Sequence, residues 1–561
     1  MQKKLLFLAS ATAILLTSCS GKLGELTADN FNVTPQPLES QAGQIPVTIN
    51  GLFPEKYMNK KAVITVIPEL RYQTLQGQKS VRGTSATFQG EKVQGNDQTI
   101  SYLIGGRYSM KSNFNYVPEM QQSELFLTFD AKVGKKTVKV PEVKVGSGVN
   151  ATGELYKRTL ASAKAALAQD AFQRIIEEKQ EANVKFLIGQ AQLRKSELQN
   201  NSVQEFVRLL NQIAKDKEGL ALDGVEVSAY ASPDGGYSLN DQLAFKRQEA
   251  TADYMNKQLR QTQNDAHVDA KYTAEDWEGF KELVAASDIQ DKDVILRVLS
   301  LYNDPEEREQ QIKNISVAFK ELADGILPQL RRARMTAHYL VIGRDDEQIL
   351  QQMKDDASKL SIEEILYSAT LYEDMRQQET AYNKAIELYP KDARAYNNLA
   401  MLNYTKGDYD TARSYTEKAL RQNVNLPEAN ANLGLLALQQ GDMVAAENYI
   451  AKASDANGLA EVLGNLHLAQ GKYALAEQDF GQTASNSAAL AQLLNKNYAK
   501  AAITLKAVEN PDGMTDYLRA ILSARTNKMS EAASALQSAI SKDPSLRQYA
   551  EKDIELVKVQ K

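Results

Sequence analysis

The clearest candidate for binding chemistry is an arginine within an apolar helical pattern. Leu243, Arg247, Ala250 and Tyr254 are spaced i, i+4, i+7 and i+11, so a helix would place them on one face. A guanidinium in such a stripe needs a partner, because a charge taken out of water is costly unless it is compensated. That partner is an anionic ligand or a carboxylate of the same chain, unless the stem alone is buried and the head stays solvated.

The sequence contains few residues that could form other kinds of site. The histidines, His267, His338 and His467, lie far apart, and Cys19 is the single cysteine, which excludes a Cys/His metal site, a disulfide framework and a Cys–His nucleophile. No carboxylate pair stands out. We therefore expect no enzyme, no metal and no cofactor.

Length and charge narrow the class further. The 561 residues suffice for several domains, and 43% hydrophobic with 24% charged residues is typical of packed chains. The formal net charge is −5, and no basic block could neutralise a phosphate backbone. Nucleic acid is not an expected partner.

The N-terminus reads as a targeting signal. Two lysines at 3–4 precede an apolar run over 5–16 that is too short to span a membrane, followed by Leu-Thr-Ser and Cys19. This resembles the lipobox of bacterial lipoproteins, which implies a signal peptide over 1–18 and an acylated Cys19. The following Ser20 favours the outer membrane, with the domains facing the periplasm; the leaflet stays open. The alternative is an unused thiol behind an ordinary secretory signal.

An all-β sandwich is predicted after a lipidated tether over 19–35. Between 36 and 148, β-branched and aromatic residues alternate with polar ones in short runs, such as 62–67 and 125–129, separated by Gly- and Asn-bearing turns. The pattern indicates strands but no ligand.

The middle region, 149–345, is predicted to be α+β with a helical insertion. Its residues 231–248 read Ala-Ser-Pro-Asp-Gly-Gly-Tyr-Ser-Leu-Asn-Asp-Gln-Leu-Ala-Phe-Lys-Arg-Gln. Gly235, Asn240, Leu243 and Arg247 fall in step with the pattern of the OmpA-like peptidoglycan-binding domain, which this region resembles over about 180–345. We expect a connecting helix over 152–180.

The resemblance implies capture of diaminopimelate in peptidoglycan, by an aspartate for its ammonium and an arginine for its carboxylate. Arg247 matches the arginine and Asn240 the neighbouring motif position, but Ser232 stands where the family has aspartate. Asp234 could substitute. Alternatively, Ser232–Pro233–Asp234–Gly235 is simply a type I turn, with proline second and glycine fourth.

The last third contains a repeat of 34 residues. A shift by that period overlays Leu399 on Leu433 and Ala412 on Ala446, which resembles the tetratricopeptide repeat (TPR). We expect an all-α TPR solenoid over 359–545 and a capping helix over 546–561. Asn398 and Asn432 occupy equivalent positions, where their amides could bind a partner peptide in a groove or could be ordinary solvated residues.

Together these patterns suggest a noncatalytic outer-membrane lipoprotein that acts as a cell-envelope adaptor. Peptidoglycan would be bound by the OmpA-like domain and a protein or peptide by the TPR groove. The first alternative is a surface or secretion and assembly accessory scaffold that has lost peptidoglycan binding. The second is a wall-glycan hydrolase with paired carboxylates, to which no residue pair points.

Overall fold

The computed structural model describes residues 23–289, 291–314 and 320–559. The predicted signal peptide over 1–18 and the predicted acylation site Cys19 lie outside these residues. The chain divides into two compact units. Unit 1 runs up to Asp170 and resumes at Tyr372, and unit 2 comprises Ala171–Leu371. Unit 2 is therefore an insertion in the sequence of unit 1.

The N-terminal part of unit 1 is a β module of two large sheets and one two-stranded sheet. Its strands are Phe31–Thr34 (β1), Leu38–Glu39 (β2), Gln44–Phe53 (β3), Ala62–Thr74 (β4), Gly77–Arg82 (β5), Ala86–Gly90 (β6), Gln98–Ile100 (β7), Gly106–Asn115 (β8), Ser123–Val133 (β9), Lys136–Val138 (β10), Val143–Ser147 (β11) and Val149–Asn150 (β12). One large sheet has the order β1-β3-β8, and the other follows β10-β9-β4-β6-β7 with β11 beside β9 and β5 beside β4. The small sheet is the parallel pair of β2 and β12. Because β1 pairs with β3, residues 31–34 belong to a sheet and not to the predicted tether.

Period-two burial explains the packing of this module. Along β3, Ile45, Val47 and Ile49 are buried while the residues between them face outward. They share one apolar core with Ile64 and Val66 of β4, in the other sheet. The alternation of the sequence therefore places one face of each sheet in a common interior.

Residues 151–170 follow the β module, and we call them the groove segment. The short helix Tyr156–Thr159 (α1) stands between two 3-10 turns, Thr152–Leu155 and Leu160–Ser162, and the chain has no helix or strand from 163 to 170. The expected helix over 152–180 is thus wrong. The boundary predicted at 149 also differs from the structure, in which unit 1 continues to Asp170.

Unit 2 combines a sheet with helices. Its elements are Ile175–Lys185 (β13), Lys195–Leu198 (α2), Asn201–Lys215 (α3), Leu220–Tyr230 (β14), Tyr237–Thr262 (α4), Val268–Thr273 (β15), Trp277–Ala285 (α5), Lys292–Leu301 (α6), Pro305–Lys313 (α7), Leu327–Leu330 (α8), Arg332–Ile342 (β16), Asp346–Asp356 (α9) and Ile362–Thr370 (α10). The sheet order is β13-β16-β14-β15, with only β14 and β15 parallel. Helices α5–α8 have an apolar cluster of their own, which includes Phe280, Ile295 and Leu330.

Unit 1 resumes with a helical repeat array. Its helices are Met375–Leu388 (α11), Ala393–Thr405 (α12), Tyr409–Gln422 (α13), Pro427–Gln440 (α14), Met443–Ile450 (α15), Leu459–Ala469 (α16), Tyr473–Phe480 (α17), Asn486–Leu494 (α18), Tyr498–Ala507 (α19), Gly513–Arg525 (α20), Met529–Lys542 (α21) and Leu546–Ala550 (α22). Asp392, Asp408 and Asp442 cap helices through their carboxylates. Gly441, with a φ of 77°, ends α14 in the left-handed conformation that permits the sharp turn.

The predicted capping helix over 546–561 is only partly formed. Helix α22 ends at Ala550, and residues 551–559 follow as turns. Leu556 is fully buried and Asp553 is 3% exposed. This tail is therefore held by tertiary contacts and is not a solvated polar helix.

No helix in the described ranges is long and apolar enough to cross a membrane. Those ranges also contain no cluster of three or more His, Cys, Asp or Glu side chains suited to a metal ion.

Candidate functional site

Asn398 and Asn432 lie on the first helices of two consecutive helical pairs, α12 and α14. Each side chain uses both of its amide atoms to bind the backbone N–H and the backbone carbonyl of a single residue. The Oδ1 of Asn432 accepts from the amide of Ala166 at 2.6 Å, and its Nδ2 donates to the Ala166 carbonyl at 2.8 Å. Asn398 does the same for Ala168, at 2.9 Å in both directions. The peptide that these residues hold is the chain's own groove segment.

Neighbouring polar groups extend this recognition. Asn397 donates to the Ala166 carbonyl at 2.9 Å, and its Oδ1 accepts from Asn432. Tyr404 donates its hydroxyl to the Leu160 carbonyl at 2.9 Å. Side chains thus bind the backbone of Ala166 and Ala168, which helps to explain how residues 163–170 are held without a helix or strand.

The last side chains of the groove segment, over 166–169, alternate between buried and more exposed positions. Ala163, Ala166 and Ala168 are 5%, 1% and 3% exposed, whereas Lys164 and Gln169 face solvent. Ala166 lies next to Gly458, where an added Cβ would stand at an ordinary contact distance of 3.8 Å from the Ala166 Cα. The groove therefore fits small side chains at alternate positions.

The first half of the segment is embedded in the core of the array. Leu155, Tyr156 and Leu160 belong to the same apolar cluster as the repeat helices. Tyr549 donates its hydroxyl to the Ala151 carbonyl at 3.0 Å, and Ser487 and Thr159 join their hydroxyls at 3.0 Å. The β module, the segment and the array consequently form one unit.

The C-terminal tail fastens the start of the segment. Glu555 receives two hydrogen bonds of 2.6 Å from Arg525 and further ones from Asn150 and Thr152. Burial alone would raise the pKa of Glu555, but Arg525 and these donors lower it overall. Glu555 is therefore the charged centre of a buried network.

Two carboxyls in this region have raised pKa values. Burial raises the pKa of Glu461 to about 7, against the opposing effects of Ser485, Asn465 and Lys164 in the groove segment. Burial likewise raises the pKa of Asp553 to about 6, although Tyr517 donates a hydrogen bond to it. Both groups are easier to bury in the neutral form.

Sequence reasoning thus found the peptide-binding asparagines but misassigned their ligand. The expectation that a partner peptide occupies the groove is corrected at Asn398 and Asn432, where the groove segment already makes those contacts. The same reasoning missed Asn397, Tyr404 and Glu461. Their only signal was their placement on first helices, near the two asparagines.

The second predicted site, around Arg247, lies in unit 2. Its Nε donates to the Gln190 carbonyl at 3.0 Å, and Nη1 and Nη2 donate to the Tyr230 and Leu187 carbonyls at 2.9 and 3.4 Å. The side chain is 1% exposed and lies over the Phe186 ring. No carboxylate in the described ranges forms an ion pair with it. Neither the internal ion pair nor the solvated head is observed, because the guanidinium is buried and donates to three backbone carbonyl oxygens.

Burial and, to a smaller extent, the charge of Arg331 together lower the pKa of Arg247 to about 10, while Asp234 opposes both. The buried stripe of α4 consists of Asn240, Ala244, Arg247, Thr251, Met255, Leu259 and Thr262. It includes Arg247 as expected, but the predicted partners Leu243, Ala250 and Tyr254 lie at its margin, only partly buried.

Ser232 and Asp234 serve an internal cation. The Nη2 of Arg331 donates to Asp234 Oδ2 at 2.7 Å, and its Nε donates to Ser232 Oγ at 3.1 Å. Ser232 in turn donates to Asp234 Oδ1 at 2.5 Å. The two residues proposed to take an ammonium thus hold the guanidinium of Arg331.

Asn240 closes the loop that precedes α4. Its Nδ2 donates to the Gly235 carbonyl at 2.8 Å and to Glu275 Oε1 at 3.1 Å. The other oxygen of Glu275 accepts from the indole of Trp277 at 2.9 Å. Asn240 therefore has a structural role here, and the structure brings it, Ser232, Asp234 and Arg247 to the same end of the sheet.

Family models match only the repeat array. Residues 381–414 match one tetratricopeptide repeat model, and residues 404–461 match another. No curated protein matches the chain.

Similar solved structures are helical repeat proteins of low identity. A tetratricopeptide repeat protein from Parabacteroides merdae is 17% identical with a TM-score of 0.27, over 44% of this chain and 97% of that one. YrrB, described as a TPR protein with an unusual peptide-binding site, is 19% identical with a TM-score of 0.22, over 37% and 100%. PilW, a type IV pilus biogenesis factor, is 19% identical with a TM-score of 0.26, over 37% and 100%. Similarity at TM-scores this low supports no inference about the function of this chain.

The family matches and the helical pairs together identify tetratricopeptide repeats in the C-terminal region, a class of repeat that generally serves protein–protein interaction.

Proposed function

We propose that this chain is a noncatalytic scaffold of the bacterial cell envelope, anchored through acyl chains on Cys19 to the outer membrane. The observation that carries the proposal is the repeat array itself, matched by tetratricopeptide models and joined through the groove segment to the β module. Such an array presents protein-docking surfaces on a rigid body. The lipid would place that body at the membrane surface.

The anchor is tested by replacing Cys19 with serine and fractionating cells that produce the full chain. We expect the native chain in the outer-membrane fraction, labelled by a clickable palmitate analogue, and the C19S chain unlabelled and released or unprocessed. Equal membrane retention and labelling of both chains would contradict lipid anchoring.

The scaffold role is tested by chemical cross-linking in intact cells, followed by purification of the full chain. We expect the same protein partner at constant stoichiometry in independent preparations. A chain that stays monomeric under cross-linking, or that turns over muropeptides when purified, would contradict a noncatalytic scaffold.

Contact with peptidoglycan through an OmpA-like unit 2 is a second candidate. It is supported by the motif residues around Asn240 and by the charge of Arg247, which is buried with three carbonyl partners and no directly bonded carboxylate. Against it stands the pairing of Asp234 with Arg331, because a ligand ammonium would have to displace that guanidinium. The geometry therefore favours the scaffold without wall binding.

Sedimentation with purified peptidoglycan separates the two. For wall binding, the native chain and the matched variant Arg260→Ala, on the exposed side of α4, would pellet, and Arg247→Met would stay in solution. We expect that none of the three pellets. Pelleting of the native chain that Arg247→Met abolishes, with unit 2 still folded by the fluorescence of Trp277, would establish wall contact instead.

A further inference from the structure

The groove of the repeat array is filled by the chain's own segment, so a partner of the scaffold needs another surface. The second helices of the last two helical pairs, α19 and α21, border an open cleft of about 560 Å³ together with the end of α20. None of the residues that line it belongs to the groove segment. The cleft is therefore a surface separate from the Asn398–Asn432 site.

Small and apolar residues form the floor of this cleft. Ala499, Ala502 and Ala535 leave room between the helices, and Leu505 and Leu522 supply apolar surface beneath them. Ile503, beside Ala502 on α19, is 71% exposed. A pair of helices lined in this way accepts apolar anchors of a third helix.

The rim of the cleft is basic. Lys506, Arg519 and Lys528 line it, against the single carboxylate of Glu531. Lys528 and Glu531 pair at 3.3 Å, but both side chains are about 60% exposed, so water screens this pair.

A second carboxylate nearby does not remove the positive excess. Asp516 pairs with Arg519 at 2.7 Å and with Lys542 at 2.8 Å, so two cations share it. The local charge is positive, although the whole chain carries a formal −5. The rim thus attracts acidic groups that the rest of the surface repels.

We propose that this cleft docks an acidic amphipathic helix of a protein partner, with leucine-like anchors over the alanine floor and carboxylates beside Lys506 and Lys528. The proposal rests on the scaffold function and names where and by what chemistry a partner is held. It does not depend on the lipid anchor, so the fractionation and cross-linking experiments above can succeed while this one fails.

The test uses the full chain and two labelled peptides of 12 residues in fluorescence anisotropy. One peptide combines glutamates with leucines at helical spacing, and the other has lysine in place of every glutamate. We expect the acidic peptide to bind at micromolar concentrations, and its affinity to fall as the salt concentration is raised. The basic peptide should bind at least 10-fold more weakly.

Matched variants locate the site. Ala502→Trp, on α19, fills the cleft and should weaken binding of the acidic peptide at least 10-fold. Ala533→Trp, at an exposed alanine of α21 outside the cleft lining, should change the affinity less than 2-fold. The double variant K506E/K528E should also weaken binding of the acidic peptide at least 10-fold. The double variant K391E/K452E, which changes the net charge equally, should leave that binding unchanged.

Three results would overturn the proposal: equal binding of both peptides, equal effects of the two tryptophan variants, or equal effects of the two charge reversals. Self-association of the chain that Ala502→Trp abolishes would also overturn it, because the occupant would then be a second copy. Circular dichroism of each variant shows that the helices are intact.

Discussion

Replacing Asn432 with alanine should release part of the groove segment without unfolding the array. The change removes the acceptor of the Ala166 amide, at 2.6 Å, and one of two donors to the Ala166 carbonyl, at 2.8 Å. Asn397 still donates to that carbonyl, so the carbonyl stays partly satisfied. The amide of Ala166, a residue 1% exposed, loses its partner.

The magnitude follows from that orphaned amide. A buried donor without a partner costs about 1–3 kcal/mol, and a lost neutral hydrogen bond about 1 kcal/mol. We therefore expect local opening of the segment to become easier by about 2–3 kcal/mol, which corresponds to roughly 30- to 150-fold faster exchange of its protected amides.

Native-state hydrogen exchange followed by mass spectrometry measures this effect on peptides that cover 163–170. The matched control is Asn430→Ala, on the same helix, 3% exposed, whose side chain donates at 3.0 Å to the Leu426 carbonyl of its own helix. This control should leave exchange of the segment within about 3-fold of the native chain. Equal acceleration by the two substitutions would refute the view that the asparagine holds the segment.

Three other substitutions test buried charges. The pKa of Glu461 is about 7 in the folded chain, against 4.5 for the ordinary group. Above pH 7 the buried carboxylate should therefore lower the free energy of unfolding by on the order of 3 kcal/mol. This loss of stability should disappear as the pH falls towards 4.5. Glu461→Gln should flatten that part of the profile in urea unfolding; an unchanged profile would contradict it. Glu555→Gln should cost about 3–5 kcal/mol, because it leaves the buried guanidinium of Arg525 without its carboxylate, and the midpoint of unit 1 in thermal unfolding checks this. Asp234→Asn should destabilise unit 2 by about 2–3 kcal/mol, measured by unfolding followed through tryptophan fluorescence. Adding Arg331→Met should recover part of this loss, because it removes the unpaired cation. A double variant no more stable than Asp234→Asn alone would show that the two residues are not coupled.

The helical repeats could be predicted because their signal is local and periodic. Small residues such as Ala412 and Ala446 recur every 34 residues where helices approach each other, and both are buried in the structure. The strands of the β module were similarly legible from alternation along β3 and β4. In each case the apolar pattern along one element predicts which of its residues are buried.

The groove segment shows where local reading fails. Its alanines have high helix propensity, and the sequence around 152–180 predicts a helix. In the structure residues 163–170 form neither helix nor strand, and Asn398 and Asn432 bind the backbone of Ala168 and Ala166 from 230 and 266 positions away. Tertiary hydrogen bonds outweigh a propensity of less than about 1 kcal/mol per residue.

The surroundings of Arg247 were equally beyond sequence reasoning. The helical spacing placed this arginine in a buried stripe, which is observed. Its partners are carbonyl oxygens of Leu187, Gln190 and Tyr230, and a carbonyl oxygen has no sequence signature. The sequence likewise did not indicate that Arg331 holds Asp234, because the two residues lie 97 positions apart and only folding brings them together.

The sequence by itself determined the classes of element: alternating strands, a helical repeat and, between them, a mixed region with a charged helix. The tertiary structure decided what fills the groove and which charges are already paired. The physical reason is that periodicity is a property of neighbours along the chain, whereas occupancy of a groove or pairing of a charge depends on groups that only folding brings together.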